Sequence, residues 1–494
     1  MTDLAAWFNP QGDTPPASSP ESGPEPNLEF KTLDEESINA PNEDNKELLT
    51  RRIHILGVGS IGTLITHSLA TLPNPPPMTL MLHRPELHTE FRRKGRAVRL
   101  TNKKTDVSDE QIGFDVETLE KVRADDGSVR PYWKYTPHTE SDGPRNPRDE
   151  AEILPSDETF IHALICTTKG PATDYAMKSI AHRVDSSTTI LFVQNGLGQI
   201  DDLNRYVFTD PATRPTYMIG VISHGAYMMG DFHVSHAGYG TVAIGIHRDT
   251  DKFPLPPPNL LADSRNISEE ERRSMFPSEA DLYSNTSARY LLRTLTRCPT
   301  LVCAAYPYLD LFQLQLEKLV VNCVLNPITA LLDVPNGAML TIPRLTIVQR
   351  LLIAEIGVVL RALPELKGVP NVRARFSLTR LEHLFRTISD KTKLNSSSTR
   401  EDLRMVRATE LEYINGYIVK RGEQLGIRCV LNFMIMELVQ SKSWYNREVG
   451  GVEVKQGASR IKGKHRSARG GNDNDDGSVE VMLEDIGTPV AGKT

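Results

Sequence analysis

From residue 51 onward the hydrophobic positions follow two contrasting rhythms. In RRIHILGVGSIGTLITHSLATL (51–72) a short apolar run, Ile53 to Leu56, ends in glycines and passes into an apolar-periodic helix. After the loop NPPP comes a second strand-like run, MTLMLH (78–83). FIHALICTT (160–168) and TTILFVQNGLG (188–198) are apolar until polar residues take over, the pattern of strands buried on both faces of a parallel sheet. TYMIGVISHGAYMM and FHVSHAGYGTVAIGI, within 216–246, predict a further strand and a hairpin. From about 286 the rhythm turns helical, through SARYLLRTLTR, LDLFQLQLEKLVVNCVLN, RLTIVQRLLIAEIGVVLRAL and a long stretch over 399–425. The pattern predicts an α/β domain over 51–285 and a helical domain over 286–445, with a cleft between them. Two charged or proline-rich segments interrupt it: 102–158 predicts an irregular insertion, and 247–285, with FPLPPPN inside, a surface loop. Residues 1–50 and 446–494 are polar and predict disordered ends.

One predicted helix is unusual. EKLVVNCVLNPITALLDVPNG (317–337) is apolar enough to be buried, yet Lys318, Asn322 and Asn326 recur at four-residue steps and share one slowly drifting face. An unpartnered buried polar group costs roughly 1–3 kcal/mol, and a buried charge more. The stripe therefore needs partners, although a lysine can also snorkel from a core helix to solvent.

The turn after the first strand supplies a context. Gly57, Gly59 and Gly62 of GVGSIG have the GxGxxG spacing, with Ser60 and Ile61 opening the helix. The first glycine permits the tight turn, the second lets a pyrophosphate approach the backbone, and the third allows close helix–strand packing. The position between a strand and a helix makes this a predicted dinucleotide site. The second strand ends LMLHRPE, so Arg84 stands where an NAD site carries an acid, and a guanidinium there suits the 2′-phosphate of NADP. Glu86, two residues on, could still reach a ribose. Lys169 and Asn195 lie just past two more strand ends, the edge where ligands bind such sheets, although Asn195-Gly196 is also a favoured turn pair. Further on, Ser398 and Glu401 have capping-box spacing for a helix running to about Gly426. On that helix Ser398 and Glu410 can face one side, while Asp402 reads as a first-turn acid favoured by the helix dipole.

Composition narrows the class. Of 494 residues 39% are hydrophobic, and the net charge is −6. Residues 1–50 hold eleven acids against two lysines, so the remainder is slightly basic, without a nucleic-acid stripe. The five cysteines are scattered without metal spacing and read as reduced, mostly buried thiols. No run of 18 apolar residues suggests a membrane helix, and the acidic N-terminus is unlike a transit peptide. A cytoplasmic protein is expected, with a mitochondrial location and a homodimer left open.

Taken together, GVGSIG, TTKG, QNGLG, SHGAYMMGDFHVSHAGYGTVAIG, EKLVVNCVLNPITALLDVPNG and SSSTREDLRMVRATELEYINGY resemble the ketopantoate reductase family, over roughly residues 51–440. The resemblance implies a Rossmann-type domain followed by an all-α domain like the C-terminal domain of 6-phosphogluconate dehydrogenase. It implies NADPH-dependent reduction of 2-dehydropantoate to (R)-pantoate, on the way to pantothenate and coenzyme A. It puts the catalytic lysine on Lys318, substrate contacts on Asn322, Asn326 and Ser398, and a glutamate on Glu410 that would accept a bond from the substrate's distal hydroxyl. On the cofactor side it implies Arg84, Lys169 and Asn195 beside the glycine turn, and no metal. The acidic N-terminus, the insertion and the tail depart from compact members. Two rival readings stand: a hydroxyacid dehydrogenase of the same design with another substrate, and a non-catalytic binding protein.

Overall fold

The computed structural model describes residues 51–123, 128–139, 142, 156–253 and 284–448. The expected disordered ends, residues 1–50 and nearly all of 446–494, and most of the expected loop 247–285 lie outside the described residues.

The apolar runs form the centre of a nine-stranded sheet. β1 (Ile53–Leu56) lies between β2 (Met78–Leu82) and β7 (Ala163–Cys166), all parallel and buried along their whole length. β8 (Thr189–Phe192) and β9 (Thr216–Ile222) continue in parallel on one side, and β5 (Asp115–Arg123) on the other. The six parallel strands thus run β5-β2-β1-β7-β8-β9, a doubly wound order whose direction reverses beside β1, where such sheets bind ligands. Antiparallel β6 (Val129–Thr136) and β12 (Val242–Ile246) extend the two edges. A separate four-stranded sheet combines β3 (Val98–Asn102), β4 (Ser108–Gln111), and the expected hairpin, β10 (Gly225–Gly230) and β11 (His233–Gly238).

The first correction concerns residues 102–158, expected to be an irregular insertion. Their described part supplies β5, a strand of the main sheet. DVETLEKVR hides this because two of its inward positions are acids. Asp115 meets Arg52 at 2.7 Å, and Glu117 takes two 2.8 Å bonds from Arg183, with all four side chains at most 3% exposed. Paired charges here stand where a hydrophobic pattern would show apolar residues.

The second correction is the domain boundary. The helix Thr286–Thr296 buries Ala288, Leu291 and Leu295 in the core on one face of the sheet, and Ser287 bonds Thr189 at 2.6 Å. β13 (Cys303–Ala305) then pairs with β12. The helical part begins at Tyr308 rather than 286, and both parts belong to one compact unit that ends at Ser443.

The 25-residue helix Tyr308–Leu332 carries the lysine and is the axis of that part, surrounded by Leu345–Ala362, Leu378–Lys391 and Ser398–Arg404. It contains Pro327, which has no N–H for the Cys323 carbonyl four residues back. Asn415 repairs the gap: its buried Nδ2 donates to that carbonyl at 2.9 Å and to Asn432 Oδ1 at 3.0 Å.

The expected continuous helix over 398–426 is broken. It stops at Arg404, Val406 takes a left-handed φ of 54°, and helix resumes over Asn415–Gln424. Its N-cap is Ser397, not Ser398: Ser397 Oγ accepts from Arg400 N at 3.2 Å and bonds Thr329 Oγ1 at 2.6 Å. Glu401 accepts from Ser396 Oγ, so the Ser398–Glu401 box does not form.

Candidate active site

The glycines of the first turn have separate steric reasons. Gly57 has φ +103°, and a Cβ there would lie 2.8 Å from Thr168 N. One on Gly62 would lie 1.9 Å from the Gly57 carbonyl. A Cβ on Gly59 would meet nothing within 4 Å, so this glycine leaves open space at the start of helix Ser60–Ala70, whose first turn carries no acid. Ser60 and Ile61 are half-buried in that first turn. Free N–H groups and open space together suit a phosphate. Arg84 lies at the end of the neighbouring strand, exposed beside His83 and Glu86, and caps helix Pro85–Arg93 through its backbone.

At the ends of β7 and β8 the sheet meets the helical part. Lys169 forms an ion pair with Asp402, whose side chain is 3% exposed. Glu410 Oε1 accepts from Gly170 N and Oε2 from Asn195 Nδ2, each at 3.2 Å. Tyr413 O accepts from Leu197 N at 2.8 Å. A Cβ on Gly196, itself at φ +82°, would lie 2.3 Å from the Tyr413 carbonyl oxygen, so only glycine allows this approach. These contacts draw residues 405–413 out of helical register. Asp402 was expected to be a helix-dipole acid and is instead a buried ion-pair partner, also 3.4 Å from Arg407.

Lys318 is half-buried, and its Nζ donates to the Ile222 carbonyl at 2.8 Å, where β9 ends. Burial lowers its pKa to about 8, against the opposing charge of Glu410. Desolvation in turn raises the pKa of Glu410, while its bonds from Asn195 and Gly170 act the other way. Lys318 and Asn322 line one narrow cleft with Asn195, Gln194 and Gln315. Asn326 is buried one turn further on, outside the walls of that cleft, and its carbonyl accepts from Thr329 Oγ1 at 3.2 Å. Ser398 is exposed in the first turn of its helix, which packs on the lysine helix.

The structure therefore brings Lys318, Asn322, Asn195 and Glu410 together, ties Lys169 to the same junction through Asp402, and leaves Arg84 apart at the second strand. Three participants escaped the sequence reading. Asp402 looked like an ordinary first-turn acid, Gln315 belongs to the same helix face two turns before Asn322, and the Ile222 carbonyl is main chain and carries no sequence signal. Among the described residues no group of three or more His, Cys, Asp or Glu side chains could hold a metal, and no helix is long and apolar enough to cross a membrane. All five cysteines are free thiols, and four of them are buried.

Two family models match the chain: ketopantoate reductase PanE/ApbA over residues 53–249, and the C-terminal part of ketopantoate reductase PanE/ApbA over 310–443. A probable 2-dehydropantoate 2-reductase of Schizosaccharomyces pombe is 27% identical over 403 residues, spanning 81% of this chain and 98% of its own. The 2-dehydropantoate 2-reductase of Saccharomyces cerevisiae is 29% identical over 59% of this chain and 77% of its own. The fold is shared with a PanE/ApbA family ketopantoate reductase from Ralstonia eutropha, with a TM-score of 0.53 and 18% identity over 80% of this chain and all of that one. It is shared equally with D-mandelate dehydrogenase solved with NADH and anilino(oxo)acetate, with a TM-score of 0.53 and 16% identity over 79% and 98%. The two models begin at the first strand of the sheet and near the start of the lysine helix, and between them they take in both sides of the cleft: the chain belongs to the ketopantoate reductase family.

Proposed function

We propose that this protein reduces the 2-keto group of 2-dehydropantoate to (R)-pantoate with NADPH, a step towards pantothenate and coenzyme A. The observation that carries the reading is Lys318, desolvated in a cleft with Asn322 and Asn195 at the carboxyl edge of a doubly wound sheet. The open space at Gly59, the free helix N-terminus beyond it and the exposed Arg84 suit a dinucleotide bearing a 2′-phosphate. Bound NADPH supplies the hydride. Reduction of a ketone leaves an alkoxide, and the Lys318 ammonium donates a hydrogen bond and then a proton to that oxygen. A pKa of about 8 makes it a stronger acid than an ordinary lysine while keeping it mostly charged at neutral pH. Asn322, Asn326 and Ser398 are assigned to the substrate's carboxylate and hydroxyl. Glu410 holds Asn195 in place and supports the charge on Lys318, and its remaining lone pairs are where a distal hydroxyl would bind. Lys169 and Asn195 complete the cofactor side.

A second reading has one observation behind it. Both Glu410 oxygens already accept hydrogen bonds, which favours a 2-keto acid without a distal hydroxyl. NADPH oxidation measured with 2-dehydropantoate, with 2-keto acids lacking the hydroxyl, and with NADH in place of NADPH tests both. Fast turnover only with 2-dehydropantoate and NADPH supports the first reading. Equal rates with simple 2-keto acids support the second, and no turnover with any of them refutes both. The cytoplasmic location and the homodimer belong to the same proposal, the latter tested by sedimentation.

A further inference from the structure

Past the loop Gln194–Leu197 from the lysine cleft lies a second cavity of about 500 Å³. It is bounded by the helix Gln199–Tyr206, the first turns of the lysine helix and the helix Asn415–Gln424, and it shares Gln315 with the cleft. Its interior is lined with rings. Tyr308 and Phe312 stack with centroids 6.0 Å apart, His247 meets Tyr308 edge-on at 6.2 Å, and Phe192 and Tyr417 complete the lining. Burial pushes His247 down to about 4, so its ring is neutral at physiological pH.

The rim carries charge, and most of it is paired. Arg421 holds Glu365 at 2.6 Å, Lys420 holds Asp202 at 3.2 Å, and Asp251 is held by Arg214 at 2.8 Å. Arg205 and Asp201, one helical turn apart, make no ion pair among the described residues. Arg205 is exposed, with its guanidinium 5.9 Å from the Tyr206 ring. Asp201 is exposed, and desolvation raises its pKa against the opposing charges of Lys420, Arg421 and Arg205. Arg248 adds a further cationic side chain to the wall.

We propose that this cavity is a second small-molecule site, and that it takes an organic anion with an aromatic or similarly flat apolar body, rings below and Arg205 at the anionic end. Its size suits a small ligand, since small-molecule pockets run to roughly 300–1,000 Å³. The probe is 8-anilinonaphthalene-1-sulfonate, titrated by fluorescence into the full-length protein with NADPH saturating, so that the dinucleotide site is filled. The expected result is one saturable site. Arg205→Glu, an exposed change, weakens it about tenfold or more, the size of one lost charge-assisted bond. Gln424→Trp, which fills the mouth from an exposed position, abolishes it. Near-ultraviolet circular dichroism and NADPH binding of both variants stay as in the parent. Loss of the signal on adding NADPH, or binding that neither variant changes while both remain folded, overturns the proposal.

Discussion

If Lys318 is the proton donor, its pKa should be visible in the rate. The structure lowers that pKa to about 8. A group titrating there is about nine-tenths protonated at pH 7 and about one-tenth at pH 9, so kcat/KM should fall about tenfold between these values. A lysine at its ordinary value of about 10.4 would lose less than a tenth of its protonated form over the same range. The substrate's carboxylate is ionised throughout and adds no break of its own. The assay is the initial rate of NADPH oxidation at sub-saturating 2-dehydropantoate, from about pH 6.5 to 10, at constant ionic strength. Two variants identify the group. Lys318→Arg keeps a charge that does not titrate, so the alkaline limb should vanish while the rate drops by about 10²–10⁴. Glu410→Gln removes the carboxylate that opposes desolvation of the lysine, so the limb should move to lower pH. A profile flat to about pH 9.5, or a break unchanged in Lys318→Arg, would refute the assignment.

Arg84→Ala should raise the KM for NADPH about tenfold or more and leave that for NADH nearly unchanged, and an equal effect on both cofactors would remove its 2′-phosphate role. Ser397→Ala should cost about 1–2 kcal/mol in urea unfolding, because it loses a helix cap and the buried partner of Thr329. The exposed Ser398→Ala should leave stability alone and raise the substrate KM, and the opposite pattern would reverse the two assignments. Asn415→Leu should destabilise by about 2–4 kcal/mol by stranding the Cys323 carbonyl, and Pro327→Ala should recover part of that loss by restoring an N–H donor; strict additivity in the double variant would sink the coupling.

What could be read from the sequence was local. The glycine turn, the buried apolar strands and the polar stripe of the lysine helix each depend on neighbours within a few residues, where steric demand and periodicity determine the form. The tertiary structure decided whatever depends on distant partners. β5 was hidden because Asp115 and Glu117 are neutralised by Arg52 and Arg183, each more than sixty residues away. The helix after Ser397 breaks because Asp402 and Glu410 are drawn to Lys169, Gly170 and Asn195, on strand ends over two hundred residues earlier. Lys318 was legible as a candidate whose pKa partial burial should lower, but the extent of that lowering was not. That comes from desolvation of the ammonium where the lysine helix packs beside the end of β9, a position that only the folded sheet determines.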